Sequence, residues 1–215
     1  KFGVGPHTIS FPRLRAAEDV DLSAFPYRVN DDEFKKIVAV FRLAVPYTGL
    51  IISTRKKPEY RNQIIDLGIS QMSAASSVGI GGYKKKLEEI KRGFSTEEDT
   101  TPQFQVEDTR TPDQILRHLC ESGYIPSYCT ACYRKGRTGE RFMALAKSGE
   151  IQNVCQPNAI LTFKEYLMDY AGPELKEIGE RTIQKHLEEI PDPKVRAMTI
   201  SGLQKIEAGV RDVYF

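Results

Sequence analysis

The chain has 215 residues, 40% of them apolar and 28% charged, which is ordinary for a globular protein with a substantial core. Its 31 Lys and Arg nearly balance 29 Asp and Glu, so no global positive field would hold a polyanion, and nucleic acid is not an expected partner. No apolar run approaches the roughly 20 residues that cross a bilayer, and no basic-then-apolar leader is visible, so the expectation is a cytoplasmic protein without a membrane partner.

The first third alternates strand and helix signals. "HTISFP" (7–12) is a short β-prone run. "NDDEFKKIVAVFRLAVP" (30–46) predicts a helix, with Asn30 as cap, acids in the first turn, Phe34, Ile37, Val38, Phe41 and Val45 on one face, and Pro46 as the stop. "GLIISTR" (49–55) is a second strand, "PEYRNQIIDLG" (58–68) a helix entered at Pro58 and left at Gly68, and "ISQMSAAS" (69–76) a third strand before the flexible "SVGIGGY". Strand, helix, strand, helix, strand with short links is the rhythm of parallel βαβ units. Residues 84–108 are charged and Thr-rich and read as a helical stub followed by a long surface connection. From 111 the chain is helical. "TPDQILRHLCESG" has Thr111 as cap, Pro112 at the first helical position, an apolar face of Ile115, Leu116, Leu119 and Cys120, and Gly123 as its stop; further helices fit 138–148, 157–171, 173–190 and 193–208.

A parallel sheet that begins at residue 7 has an unpaired edge and an uncovered face. The chain therefore reads as the back part of a larger fold.

Three of the four cysteines lie in "SYCTACYRKGRTGERFMALAKSGEIQNVC" (127–155), in the pattern CxxC-x22-C formed by Cys129, Cys132 and Cys155. Four cysteines are too few for a disulfide scaffold, and a tight CxxC in a reducing compartment points to metal or redox chemistry. Thiolates suit zinc and iron–sulfur clusters alike. Three of them leave either the fourth iron of a cubane open or a zinc site awaiting a histidine, and spacing alone leaves both readings standing. Cys120 shares an apolar helical face and reads as a small buried hydrophobe. The "GIGG" at 79–82 matches no phosphate-binding spacing, and the basic run "YRKGRTGER" (133–141) reads equally as a solvated face or as a neutralising patch beside a cluster or partner.

"GPHTISFPRLR" (5–15), "STR" (53–55), "SAASSVGIGGY" (73–83) and the cysteine pattern with "CYRKGRTGERFM" together resemble the C-terminal part of the HydG family of radical S-adenosylmethionine tyrosine lyases, the maturases of FeFe hydrogenase. The thiamine-pathway tyrosine lyase and biotin synthase are relatives, though the former is not expected to carry the cysteine domain. The resemblance implies an α/β fold, with the last three βα units of a (β/α)8 barrel (1–83), a connecting segment (84–110) and a mostly α-helical cluster domain (111–215). It implies an auxiliary 4Fe-4S cluster on Cys129, Cys132 and Cys155, with an extra iron held partly by His7 at the strand N-termini. Such an iron could gather cyanide, carbon monoxide and free cysteine. S-adenosylmethionine and a second 4Fe-4S cluster would belong to the N-terminal part of the same enzyme, whose CxxxCxxC does not occur in this sequence.

Ser53, Arg55, Ser73 and Ser76 fall at the C-terminal strand ends, where (β/α)8 enzymes place their chemistry. The Arg55 fork suits the carboxylate of tyrosine, and the hydroxyls its amine. The bland alternative is a surface arginine with serines packed under a helix. The implied activity is cleavage of tyrosine to p-cresol and dehydroglycine, with carbon monoxide and cyanide captured on the auxiliary iron and passed to other hydrogenase maturation proteins. The competing reading is a zinc-stabilised helical interaction module without enzymatic activity.

Overall fold

The computed structural model describes residues 5–15, 20–92 and 106–215. It is an α/β structure, mostly helical with a small parallel sheet, divided into two compact units, Pro6–Thr111 and Pro112–Phe215.

In the first unit, strands β1 (Thr8–Ser10), β2 (Gly49–Ile52) and β3 (Gln71–Met72) form a parallel sheet in the order 1-2-3, with Thr8 beside Gly49 and Ile51 beside Gln71. Helix α1 (Asp31–Ala44) links the first pair and α2 (Pro58–Ile65) the second. Asn30 caps α1 as expected. Its side chain accepts from Glu33 N at 2.9 Å, and Glu33 returns the bond to Asn30 N at 2.8 Å, a reciprocal box that satisfies two otherwise orphaned donors.

The core of this unit is Phe11, Phe34, Val38, Leu50, Ile52, Ile64 and Ile69. Leu50 and Ile52 are buried, whereas Gly49 and Ile51 on the opposite face of β2 are only half-buried. That alternation is unusual for a parallel strand, which ordinarily buries both faces. Strands β2 and β3 are shorter than the sequence suggested. Residues 53–55 and 73–76 leave the ladder, and Ala75 takes a left-handed φ of 50° that no regular strand allows. Helix α3 (Gly82–Arg92) covers the expected stub, and the connection at 93–105 lies outside the described residues.

The chain re-emerges at residue 106 and is tied back to the end of β2, because Glu107 N and Asp108 N both donate to Thr54 O, at 3.0 and 3.1 Å. Asp108 and Arg61 are completely buried and ion-paired. Arg110 adds two parallel bonds to the same carboxylate, at 2.9 and 2.7 Å, and Arg61 also donates to Ser73 O at 2.5 Å. A fully paired buried charge holds only while every partner stays.

The second unit contains α4 (Pro112–Glu121), α5 (Ala131–Arg134), α6 (Gly139–Ser148), α7 (Gln152–Asp169), α8 (Pro173–Glu188) and α9 (Pro193–Glu207). Helix α7 is central, with Ile160, Leu161, Phe163 and Leu167 fully buried against α8 and α9. Two glycines permit the close approach. A Cβ on Gly179 would lie 2.6 Å from Leu167, and one on Gly202 2.7 Å from Leu161. Lys164 reaches from α7 to Glu180 of α8 at 2.7 Å and Glu207 of α9 at 2.9 Å. Helix α7 begins at Gln152, five residues before the expected Pro157. Pro157 lies one turn inside, where its missing N–H leaves only the Asn153 carbonyl without its helical donor. Cys155 is thereby a first-turn helical residue. Among the described residues no helix is long and apolar enough to cross a membrane.

Candidate metal centre

Cys129 lies in the loop ahead of α5, Cys132 within α5, and Cys155 in the first turn of α7. The loop is fixed by Tyr128 N donating to Thr162 Oγ1 of α7 at 3.3 Å. The CxxC turn then aims the Ala131 amide at the Cys129 sulfur, 3.4 Å away. After Cys132 the backbone reverses through Gly136, whose φ of 63° suits glycine, and Arg137 N closes the turn on Cys132 O at 2.8 Å. Cys129 and Cys132 are half-buried and Cys155 is exposed, while Cys120 is buried in the helical core.

Among the described residues no three His, Cys, Asp or Glu side chains are gathered tightly enough to hold a single metal ion. The three thiols nonetheless lie within electrostatic reach of one another. Loss of hydration, then the neighbouring Cys132 and Cys129 sulfurs, push the Cys155 thiol up to about 11, although part of the residue opens to solvent. Burial likewise raises Cys129, with Cys132 adding to it, and the Ala131 amide and Arg137 guanidinium pull the other way. Cys129 and Cys155 therefore resist ionisation; a bound cation would expel their protons and turn the repulsion between sulfurs into attraction. The donor set of three soft sulfurs with nearby N–H groups fits iron–sulfur ligation.

The basic run divides. Arg134 pairs with Asp212 at 3.0 Å, and Arg134 and Lys135 both lie 5.3 Å from the Tyr214 ring. Arg137 turns inward and donates to Phe215 O at 2.6 Å. The tail from Arg211 to Phe215 is also held by α7, through Val213 N to Glu165 at 3.0 Å and Phe215 N to Asn158 Oδ1 at 2.8 Å. Neither this tail nor Asn158 stood out in the sequence; the available hint was that Asn158 lies three residues after Cys155, on the same helical face.

The remaining expected site residues belong to the sheet unit. His7 immediately precedes β1, and its carbonyl accepts from Gly49 N at 3.0 Å, at the N-terminal end of the sheet. Ser53, Arg55, Ser73 and Ser76 follow the C-terminal ends of β2 and β3. At about 3.3 Å per residue the two ends stand roughly 16 Å apart. Arg55 donates to Arg13 O at 3.2 Å, and Ser73 N bonds Ile52 O at 3.0 Å. Ser53 continues the alternation of Gly49 and Ile51, on the face opposite Leu50 and Ile52. A cleft of about 840 Å³ in this unit is lined by Phe11, Phe34, Phe41, Arg13 and Lys56, and by none of these four residues. Of the cations that line it, Arg13 and Lys56 are committed to Asp31 and Arg15 to Glu107.

Over its full length the chain is similar to a crystal structure of HydG, a maturase of the FeFe-hydrogenase, at 58% identity and a TM-score of 0.89, covering 44% of that chain. It is also similar to the FeFe-hydrogenase maturase HydG from Carboxydothermus hydrogenoformans, at 36% identity and a TM-score of 0.65 over 94% of this chain and 40% of that one. Curated relatives include the 2-iminoacetate synthases of Escherichia coli strain K12, 29% identical over 136 residues, and Salmonella typhimurium strain LT2, 31% identical over 121 residues. These alignments cover 63% and 56% of this chain, and 32% and 28% of those proteins, so the matched region spans about a third of their length. The expected resemblance to HydG thus stands on structure as well as motifs, and with residues 10–125 matching the family model, the chain belongs to the Biotin and Thiamin Synthesis associated domain family.

Proposed function

We propose that the chain serves as the C-terminal part of a HydG-like radical S-adenosylmethionine tyrosine lyase, and that Cys129, Cys132 and Cys155 hold its auxiliary 4Fe-4S cluster. The observation that carries this reading is the match to a HydG structure over the whole chain, and the electrostatic influence of the three thiols on one another supports it. A cubane presents one iron per thiolate, which suits three sulfurs that sense one another without closing around one ion. When bound, the cluster would supply an iron with no protein ligand, open to small ligands such as free cysteine, and His7 would be a ligand of a further iron.

The sheet unit supports the other half of the proposal. Three sequential parallel strands joined by helices are the repeat of a (β/α)8 barrel, and the half-buried face of β2 would then be the one turned to the barrel lumen. Arg55 at the C-terminal end pairs bidentately with the tyrosine carboxylate, and Ser53, Ser73 and Ser76 orient its amine. His7 serves at the opposite end. The whole enzyme would cleave tyrosine to p-cresol and dehydroglycine and make carbon monoxide and cyanide for other hydrogenase maturation proteins; S-adenosylmethionine and its 4Fe-4S cluster belong to the N-terminal part.

The two ends predict two different failures. In the full-length enzyme, Arg55→Ala should lose p-cresol formation, because removing a charge-assisted contact costs roughly 1.5–3 kcal/mol. His7→Ala should still form p-cresol and lose the infrared bands of iron-bound carbonyl and cyanide. Normal bands in the His7 variant, or p-cresol lost there and kept in Arg55→Ala, would overturn the assignment of ends.

A further inference from the structure

Asn158 is 1% exposed, on α7, three residues after Cys155. Its side-chain oxygen accepts from Phe215 N at 2.8 Å. That bond fixes which end of the amide is which, because only the oxygen can accept from an N–H. The other end, Nδ2, is buried and makes no hydrogen bond. A buried donor left unpaired costs about 1–3 kcal/mol, so one kept at a site asks for a partner that the bare protein does not supply.

Cys129 is the neighbour in the right place. The Asn158 carbonyl accepts from Thr162 Oγ1 at 2.8 Å, and that hydroxyl accepts from Tyr128 N at 3.3 Å, so the residue ahead of Cys129 is anchored to the same turn of α7. The Asn158 side chain favours ionisation of Cys129, and its Nδ2 makes no hydrogen bond to the neutral thiol. A thiol is a weak acceptor and a thiolate a strong one. Metal ligation makes the thiolate. The unpaired N–H therefore finds its acceptor when the site is loaded.

We infer that Asn158 is a positioning residue for the cluster: held by the Phe215 amide, it donates its Nδ2–H to the Cys129 thiolate and raises the cluster's reduction potential. This rests on the three-cysteine cluster reading proposed above. Donors to cluster sulfurs stabilise the more negative, reduced state, and the Ala131 amide at 3.4 Å already acts in the same sense. The tail residue Phe215 is part of the arrangement, since its amide orients Asn158 and its carbonyl holds Arg137.

The test uses the full chain, reconstituted anaerobically with iron and sulfide. Asn158→Leu removes the donor without adding charge; Asn158→Asp removes it while keeping the acceptor for Phe215 N. Both should load iron and sulfide as the parent does, and at the parent's midpoint the reduced-to-oxidised ratio should fall by about tenfold, equivalent to about 59 mV for one electron. With asparagine labelled by 15N, the reduced parent cluster should show a weak nitrogen hyperfine coupling that both variants lose. An unchanged midpoint in a fully loaded Asn158→Leu protein overturns the inference. So does the absence of that coupling in the parent, which decides the matter even where a variant fails to fold. A parent chain that takes up no labile sulfide instead overturns the cluster reading itself.

Discussion

The helical unit and the sheet unit carry their candidate residues in different ways. In the helical unit, Cys129 and Cys132 at the α5 turn and Cys155 at the start of α7 lie within electrostatic reach of one another, and the turns that carry them are hydrogen-bonded within the unit. In the sheet unit, His7 stands at one end of a three-stranded sheet and Ser53, Arg55, Ser73 and Ser76 at the other, with one face of β2 only half-buried. A site closed by local packing is complete once its unit folds; one spread along strand ends depends on whatever else borders those ends.

The cysteines give the sharpest contrast. Cys129→Ala, Cys132→Ala or Cys155→Ala should each abolish cluster assembly, measured as iron and acid-labile sulfide, whereas Cys120→Ala should keep the cluster and lose only packing stability, because Cys120 lies in the helical core. Equal iron loss from Cys120→Ala would show that the fourth cysteine is also a ligand.

In the sheet unit the greatest sensitivity is expected at a purely structural pair. Asp108→Ala leaves the Arg61 guanidinium buried with one of its partners gone, at a cost of about 3–5 kcal/mol, measurable by denaturant unfolding. The same pair sets a pH dependence. Burial pushes the Asp108 carboxyl up, but the bonds and charges of Arg110 and Arg61 outweigh it and hold the group below the ordinary aspartate value. Its stabilisation is therefore fully present above about pH 3.9 and lost as pH falls through the lowered folded value. Unfolding midpoints that do not change between neutral pH and pH 3 would contradict this.

Gly179→Ala tests the packing of α7 on α8. The added Cβ would meet Leu167 at 2.6 Å, and overpacking of this kind costs about 1–3 kcal/mol. Asn30→Ala should cost about 1 kcal/mol through loss of the α1 cap, read as a shift in the unfolding midpoint.

What the sequence made legible follows the range of the interactions. The Asn30 cap, the Pro112 helix start and the CxxC turn are local patterns, and the structure contains them as read. The strands end earlier than the sequence suggests, because no Gly or Pro at 53–55 or 73–76 announces where the backbone turns away. The expected helix over 157–171 starts at Gln152 instead, because α7 tolerates Pro157 one turn inside, and so it carries Cys155. The Arg61–Asp108 pair spans 47 residues and the Asn158–Phe215 bond 57, and no local pattern announces either.

The central claim is that the three-cysteine site of the helical unit holds an iron–sulfur cluster. Metal and acid-labile sulfide analysis of the 215-residue chain, after anaerobic incubation with iron and sulfide in competition with zinc, decides it. The account predicts acid-labile sulfide with at least as much iron, lost together in Cys155→Ala. Stoichiometric zinc without sulfide would contradict it.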